Sequence, residues 1–251
     1  MSLTQEYTNQ NQWRNWEQYI DKLPIQAEDV VLDMGCSLGF VSRLLAKKAK
    51  KVIGIDLNDQ LIRKAQTLYS ATNIDFRIGN LSEIGSLGLP VADGIWSSFT
   101  AAYFVDFESV LDTWLALLKP GGWIALIEIN DLLGHGPISK YSQDIFKSFY
   151  KHQLRKGLYD FEMGSKLKNY LDIKNLQVIY EASVYDKELA FNGPAEPQIV
   201  DSWKMRFSRM KLMQEFLGKE SHNVLDEFMQ SLADKGHFCN SEVKFLIARK
   251  L

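Results

Sequence analysis

A buried-strand pattern that runs directly into a small-residue turn constrains this chain more than any other feature. The pattern is Val30-Val31-Leu32-Asp33-Met34-Gly35-Cys36-Ser37-Leu38-Gly39, and Asp56 closes the next apolar run. A strand that feeds such a turn and then a helix lets backbone N–H groups approach a ligand closely, and an acid about 20 residues later can accept both hydroxyls of a ribose. The sequence therefore predicts a nucleoside cofactor.

The glycines of the turn narrow the choice of nucleoside. A dinucleotide fingerprint needs G-x-G-x-x-G, but the frame from Gly35 continues with Ser37 and Phe40. The sequence also lacks the G-x-x-x-x-G-K-[ST] phosphate loop. Because neither phosphate cradle is present, a ligand without phosphate is favoured.

The turn resembles the first motif of the class I S-adenosylmethionine-dependent methyltransferases, roughly V-L-D-x-G-C-G-x-G, with Ser37 in place of the middle glycine. Further segments match that family in the expected order: Val52 to Leu57, Phe76 to Leu81, Asp93 to Phe99, and Leu118 to Trp123. The resemblance implies that S-adenosyl-L-methionine is the methyl donor and S-adenosyl-L-homocysteine the product. The small-molecule enzymes of the family are the most similar in pattern.

The resemblance also implies a set of cofactor-binding residues: Asp33, Gly35, Cys36, Ser37, Gly39, Asp56, Leu57, Asn80, Leu81 and Ser97. Asp56 is the strongest candidate, since an ionised carboxylate is the acceptor that vicinal ribose hydroxyls need. Asp33 either orients the methionine amine or stabilises its own turn. Asn80 either accepts a hydrogen bond from the adenine amino group or is a plain turn residue.

Strand-like and helical stretches alternate from residue 30 to residue 130, as in βαβ units with a parallel sheet. The resemblance implies that the runs Val178 to Val184 and Val243 to Ala248 pair antiparallel and complete the sheet. The predicted fold is therefore α/β, a Rossmann-like doubly wound seven-stranded sheet, mostly parallel with an antiparallel last strand. We treat the chain as one domain with these parts: an N-terminal helical segment (1–28), a cofactor-binding core (29–131), a helical insertion (132–175), and the final strands (176–251) with a helical lid at about 195–235.

Several helical segments outside the core are expected to roof the cofactor edge of the sheet. They are Tyr7 to Ile20, Tyr141 to Leu154, about Met163 to Leu171, Glu196 to Leu217 and Val224 to Ala233. Apolar residues between Trp203 and Met213 form a helical stripe that suits either packing on the sheet or a substrate-facing lid. The interleaved Lys204, Arg206, Arg209 and Lys211 either hold an acidic group or form a solvated face.

Composition limits the partners and the location. The chain has 251 residues with 29 basic and 31 acidic side chains, a net charge of −2, so no broad positive field favours a nucleic acid. The N-terminus lacks the pattern of a signal peptide, which predicts a cytoplasmic protein. Cys36 and Cys239 are too few for a disulfide framework or a zinc cluster, and we expect reduced thiols and no metal.

The catalytic base is the least determined part of the prediction. His135 follows the fifth strand in what reads as a flexible turn, and histidine has a suitable pKa to remove a proton from an oxygen or nitrogen nucleophile. Tyr170 and Lys174 show the Tyr-x-x-x-Lys spacing of short-chain oxidoreductases, the first rival reading. The second rival is a protein that binds the nucleoside without turnover. Asn-Pro-Pro-Tyr is absent after the fourth strand, which favours a small molecule over an adenine-N6 substrate.

Overall fold

A seven-stranded sheet organises the computed structural model, which describes residues 3–251. The strand order is β3-β2-β1-β4-β5-β9-β7, and a short separate pair is formed by β6 and β8. The strands are β1 (Val30–Met34), β2 (Lys51–Asp56), β3 (Ile74–Ile78), β4 (Ala92–Ser98), β5 (Leu118–Asn130), β6 (His135–Gly136), β7 (Gln177–Val184), β8 (Phe238–Cys239) and β9 (Glu242–Arg249). Strand β9 runs antiparallel to both β5 and β7, and the first five strands pair in parallel. The predicted fold class is confirmed.

Helices cover both faces of the sheet and its carboxyl-terminal edge. They are α1 (Leu3–Trp13), α2 (Trp16–Ile20), α3 (Phe40–Leu45), α4 (Asp59–Leu68), α5 (Phe107–Ala116), α6 (Lys140–Arg155), α7 (Met163–Ile173), α8 (Pro197–Arg209), α9 (Lys211–Leu217) and α10 (Ser221–Ala233). Two segments that the sequence predicted as continuous are each two helices, with breaks at 14–15 and at Met210. None of the helices in residues 3–251 is both long enough and apolar enough to cross a membrane.

The core lies on both faces of the sheet because alternate strand residues point to opposite sides. On β4, for example, Ile95 packs in one cluster with Phe107 and Trp114, whereas Trp96 packs in the other with Trp16 and Phe245. Each of these side chains is at least 95% buried. Strands buried on both faces read as continuous apolar runs, which explains why the parallel core was so clear in the sequence.

Local capping sets the start of α4, the helix that follows β2. The side-chain oxygen of Asn58 accepts a hydrogen bond from the N–H of Leu61 at 3.2 Å, the usual N-cap arrangement. Leu61, Ile62 and Ala65 then face the core. The capped helix α4 begins at Asp59, and Asp56 is the last residue of β2. Asp56 therefore lies at the carboxyl end of its strand, the edge where ligands of open α/β sheets bind.

Candidate cofactor and acceptor site

A cavity of about 1070 Å³ lies at the carboxyl ends of the parallel strands. One half is lined by residues from the loops after β1, β2 and β3, and these are Asp33, Gly35, Cys36, Ser37, Asp56, Leu57, Asn80 and Leu81. All of them were predicted as cofactor-binding residues. The other half is closed by α1, α8, α9 and the segments around α6, which the sequence predicted only as a roof.

The loop after β1 needs glycine where it passes the loop after β4. Gly35 has a φ of +79°, and a Cβ there would lie 2.1 Å from Oγ1 of Thr100. The N–H groups of Gly35 and Cys36 both donate to the carbonyl of Ile55, at 2.8 and 3.0 Å. Ser37 also has a positive φ of +51°, so it adopts the left-handed conformation that a glycine would take at this place in the motif.

Asp56 connects two of the loops that border the cavity. Its Oδ2 accepts the N–H of Ser37 at 2.9 Å, and its Oδ1 accepts the N–H of Asn58 at 2.8 Å. A carboxylate oxygen has more than one lone pair, so both oxygens keep acceptor capacity toward the cavity. The two backbone N–H groups therefore fix the orientation of the Asp56 carboxylate at the edge of the cavity.

Asp33 is a buried acid at the base of the same half. It is 2% exposed, and its Oδ2 accepts a hydrogen bond from the hydroxyl of Ser42. Burial raises the pKa of Asp33 to about 7, although the bond from Ser42 opposes this shift. A cationic group in the cavity would favour the ionised form of this side chain.

Asn80 and Leu81 form the far wall of this half. The side-chain oxygen of Asn80 accepts the N–H of Ser82 at 3.0 Å, so the residue does act in its own turn. Asn80 also lines the cavity, where an adenine contact was predicted for it. Leu81 is 6% exposed, and its carbonyl accepts the indole N–H of Trp114, which holds this wall against the core.

Two of the predicted cofactor residues lie outside the cavity lining. Gly39 instead caps α3 with a φ of +75°, and a Cβ there would lie 2.4 Å from the ring of Phe76. Ser97 is 2% exposed within β4, and the next residue, Ser98, lines the cavity instead. Side chains alternate along a strand, so a reading that is one residue off places the wrong serine at the edge.

The predicted base, His135, is also outside the cavity lining, and the prediction of a flexible turn is wrong. His135 begins β6, is 2% exposed and packs against Phe191, Trp203 and Phe228. Its Nδ1 lies 3.0 Å from Nε2 of His237. Burial, with a smaller effect from His237, lowers the pKa of His135 to about 3. Among residues 3–251, the cavity lining contains no histidine.

The second half of the cavity is mainly aromatic, and the sequence identified it only in part. Tyr103 and Phe161 each lie within 5 Å of Tyr159, measured between ring centroids (4.9 and 4.6 Å). Tyr7, Trp16, Phe99, Phe149, Met210 and Met213 complete this lining. In the stripe that the sequence predicted as either packing or lid, Trp203 is buried in the core, whereas Met210 and Met213 line the cavity.

A buried carboxyl group supports the loop that forms the floor between the two halves. Glu128 on β5 is 1% exposed, and its Oε1 accepts the N–H of Ala102 at 3.2 Å. Its Oε2 has no hydrogen-bond partner in the described part of the chain. Burial raises the pKa of Glu128 to about 8, against the opposing effect of backbone N–H groups. Glu128 lies within an apolar strand and belongs to no motif that would identify it in the sequence.

The short-chain oxidoreductase reading finds no support in the geometry. Tyr170 packs on Phe107 within α7, and Nζ of Lys174 binds Glu108 and Asp112 at 3.0 and 2.8 Å. Neither residue lines the cavity. Their spacing follows from a helix packed on the sheet. Cys36 and Cys239 are both free thiols, and the described residues contain no group of three potential metal ligands.

Comparison with known proteins agrees with this geometry. Residues 32–126 match the family described as "Methyltransferase domain". A ubiquinone biosynthesis O-methyltransferase of Chromobacterium violaceum is 30% identical over 114 residues, which cover 45% of this chain and 49% of that protein. An uncharacterized RNA methyltransferase of Listeria innocua is 38% identical over 72 residues, 28% of this chain and 16% of that protein. The chain thus spans half or less of these two relatives.

Solved structures extend the likeness over nearly the whole chain. A protein from Bacillus halodurans C-125 superposes with a TM-score of 0.65 at 15% identity, covering 94% of this chain and 98% of the other. An S-adenosylmethionine dependent methyltransferase from Mesorhizobium loti has a TM-score of 0.55 at 16% identity, covering 93% and 96%. The chain therefore shares its fold with solved methyltransferase structures, and residues 32–126 match the methyltransferase family model.

Proposed function

We propose that this protein transfers a methyl group from S-adenosyl-L-methionine to a small, partly apolar metabolite by in-line displacement. The observation that carries the proposal is that two chemically different sets of residues line one cavity. One half presents the glycine loop and Asp56, and the other presents aromatic and methionine side chains. A nucleoside cofactor and an apolar acceptor can therefore lie side by side.

The residues of the first half fit the cofactor. Gly35 provides backbone access that a Cβ would block, and the hydroxyl of Ser37 is buried without a partner among the described residues. Asp56 would accept from the ribose hydroxyls, and Asp33 would face the cationic methionine end. When bound, the cofactor supplies a sulfonium methyl group that is already activated for nucleophilic attack.

The protein's contribution to the rate would be alignment and exclusion of water. Holding the acceptor atom in a near-attack arrangement can supply roughly 7–11 kcal/mol of a barrier. The aromatic half around Tyr159 suits a planar or apolar acceptor, because it offers ring faces and edges. The O-methyltransferase relative makes an oxygen acceptor the first one to test.

The partners and the location stay proposals. A small-molecule acceptor fits a roofed cavity of this size, and we propose no nucleic-acid substrate even though one relative is described as an RNA methyltransferase. We propose a cytoplasmic location, which cell fractionation would test. A protein that binds the cofactor without turnover is the alternative function, and it predicts affinity for the cofactor with no transfer to any acceptor.

A labelled-methyl screen tests the proposed reaction directly. The protein is incubated with methyl-labelled S-adenosylmethionine and a metabolite extract, and labelled products are identified by mass spectrometry. A labelled small molecule supports the proposal. Binding of S-adenosylhomocysteine without a labelled product supports the alternative, and label in RNA would overturn the choice of acceptor class.

Replacement of Asp56 tests the cofactor half separately. We expect Asp56→Ala to raise the dissociation constant of S-adenosylhomocysteine at least about tenfold in calorimetry, because the ribose loses its acceptor. Asp59→Asn is the matched control, since Asp59 is near in sequence but pairs with Arg63 outside the cavity lining. An unchanged constant in Asp56→Ala would argue against the ribose role.

A further inference from the structure

A cluster of arginines and carboxylates lies in the roof over the aromatic half of the cavity. The arginines are Arg14 after α1 and Arg206 and Arg209 on α8, and all of them line the cavity. The carboxylates are Glu6 on α1 and the pair Asp186 and Glu188 between β7 and α8. Each of these acids is at most 2% exposed.

The hydrogen bonds of the cluster leave one arginine incompletely used. Arg14 donates from Nε to Asp186 at 2.7 Å and from a terminal nitrogen to Glu188 at 3.1 Å. Arg209 donates from both terminal nitrogens to the two oxygens of Glu6. Arg206 donates from one terminal nitrogen to Glu188 at 2.7 Å, but its buried Nε–H has no partner among residues 3–251.

The guanidinium of Arg206 is held firmly where it lies. Glu188 also accepts bonds from Gln10 and Ser202, and the ring of Trp203 lies 5.1 Å from the guanidinium carbon. Burial would raise the pKa of Glu188, but the charges of Arg206 and Arg14 outweigh it and hold that pKa low. The acid is therefore ionised, and Arg206 is a fixed, charged donor with unused capacity.

The charge of Arg206 acts on the aromatic half of the cavity. It opposes the effect of burial on the pKa values of Tyr7 and Tyr159, two phenols that line the cavity. A buried donor without an acceptor is unfavourable until a ligand supplies one. A charged guanidinium with one unpaired N–H group is best satisfied by an oxyanion.

We propose that the methyl acceptor is an aromatic or apolar molecule that carries an anionic oxygen group, and that Arg206 binds this group. The inference rests on the proposed function, because it assigns the aromatic half to the acceptor. Arg206 is then a specificity-determining residue: it selects a carboxylate over a neutral amide of the same shape. Arg14 and Arg209 position the roof, since two nitrogens of each guanidinium already donate to the acids of the cluster.

Binding of small probes to the protein saturated with S-adenosylhomocysteine tests this inference. The probes are 4-hydroxybenzoate and its neutral counterpart 4-hydroxybenzamide, with phenyl phosphate as a second anion, followed by ligand-observed NMR and calorimetry. We expect 4-hydroxybenzoate to bind at least about tenfold more tightly than the amide. Preference for phenyl phosphate over the carboxylate would still support an anion site and would identify its chemistry.

Variants on α8 assign the preference to one residue. Arg206→Gln should remove the discrimination between acid and amide, whereas Lys204→Gln should keep it, because Lys204 lies on the same helix but pairs with Asp201 in solvent. Arg206→Gln leaves Glu188 with fewer partners, so the double variant Arg206→Gln with Glu188→Gln guards against loss of folding. Equal binding of acid and amide by the unaltered protein overturns the inference. Discrimination that survives in both Arg206→Gln and the double variant also overturns it.

Cofactor measurements separate failure of the inference from failure of the proposed function. If S-adenosylhomocysteine does not bind the unaltered protein, the proposed function fails and no acceptor assignment remains. If Arg206→Gln weakens S-adenosylhomocysteine but not 5′-methylthioadenosine, which lacks the amino-acid carboxylate, Arg206 binds the cofactor and the inference is overturned. Equal cofactor affinity in both proteins, with lost acid discrimination, supports it.

Discussion

At the scale of single residues, the cofactor half depends on backbone conformations that few side chains tolerate. Gly35 and Ser37 both have positive φ, yet they differ in surroundings. Gly35 faces Thr100 across a gap too small for a Cβ, whereas Ser37 already accommodates its side chain. The departure from the family glycine at position 37 therefore changes the surface of the loop rather than its path.

Alanine at Gly35 should be more harmful than alanine at another glycine of similar conformation. Gly88 has a φ of +58° and open space around its Cα, so Gly88→Ala should cost only the conformational strain, about 1 kcal/mol. Gly35→Ala adds the collision with Thr100, about 1–3 kcal/mol more. Urea unfolding of both variants measures the difference, and equal losses would show that the Thr100 contact relaxes freely.

Asp33 should make cofactor binding depend on pH. Its pKa of about 7 in the free protein means that the carboxyl is largely protonated at pH 6 and ionised at pH 8. Because the cationic methionine end favours the ionised form, affinity for S-adenosylhomocysteine should rise with pH through 7, by up to about tenfold. Calorimetry at both pH values checks this. Asp33→Asn should flatten the dependence, and a slope that persists in Asp33→Asn would contradict the assignment.

At the scale of elements, the N-terminal helices are tied to the second half of the chain through buried charge. Arg14, in the break between α1 and α2, binds two acids that follow β7, and its guanidinium lies 4.6 Å from the ring of Phe99. Glu6 on α1 binds Arg209 on α8. These ion pairs connect residues that are 172 to 203 positions apart in sequence. They hold the N-terminal helices and α8 together as one roof.

Removing the charge of Arg14 should weaken the whole fold, not only the roof. Arg14→Gln leaves Asp186 without its cation and Glu188 with one fewer, and breaking a buried pair typically costs about 3–5 kcal/mol. Lys48→Gln is the control, because its pair with Asp21 is exposed and should have little effect. Thermal unfolding compares them. Equal stability of the two variants would mean that solvent reaches the acids easily.

At the scale of the whole molecule, buried titratable groups give the stability two opposing pH dependences. His135 has a pKa near 3 when folded, below its unfolded value, so it binds a proton only in the unfolded state as pH falls below about 6.5. Its contribution is present above pH 6.5 and is lost on acidification. Asp33 and Glu128 have raised pKa values, so they keep protons in the folded state that the unfolded state releases, and acidification strengthens their contribution.

The difference in unfolding free energy between the unaltered protein and His135→Gln isolates the contribution of His135. Between pH 7 and pH 5 the stability advantage of the unaltered protein over His135→Gln should shrink by about 2 kcal/mol, since only the former must exclude the proton. Denaturant unfolding at both pH values measures this difference. His222→Gln is the control because His222 is exposed, with 85% of its side chain accessible. A constant difference for His135→Gln would mean that the folded protein accepts the charge.

The sequence by itself determined the sheet and most of the loop residues that line the first half of the cavity. Parallel strands buried on both faces leave continuous apolar runs, and the loop from Asp33 to Ser37 and the acid at 56 are local patterns that a few neighbouring residues specify. These features need no knowledge of distant contacts. The same local reasoning failed at Ser97 by a single position, because a strand reverses its side-chain direction at every residue.

Only the tertiary structure decided the aromatic half of the cavity. The sequence offered His135 as a base from its place after the fifth strand, but long-range packing against Trp203 and Phe228 buries it away from the cavity. The same packing brings Arg206 beside Glu188 and near Tyr159, although no spacing in the chain relates these residues. Burial and charge pairing between segments far apart in sequence are properties of the folded molecule. They can therefore be identified only in the tertiary structure.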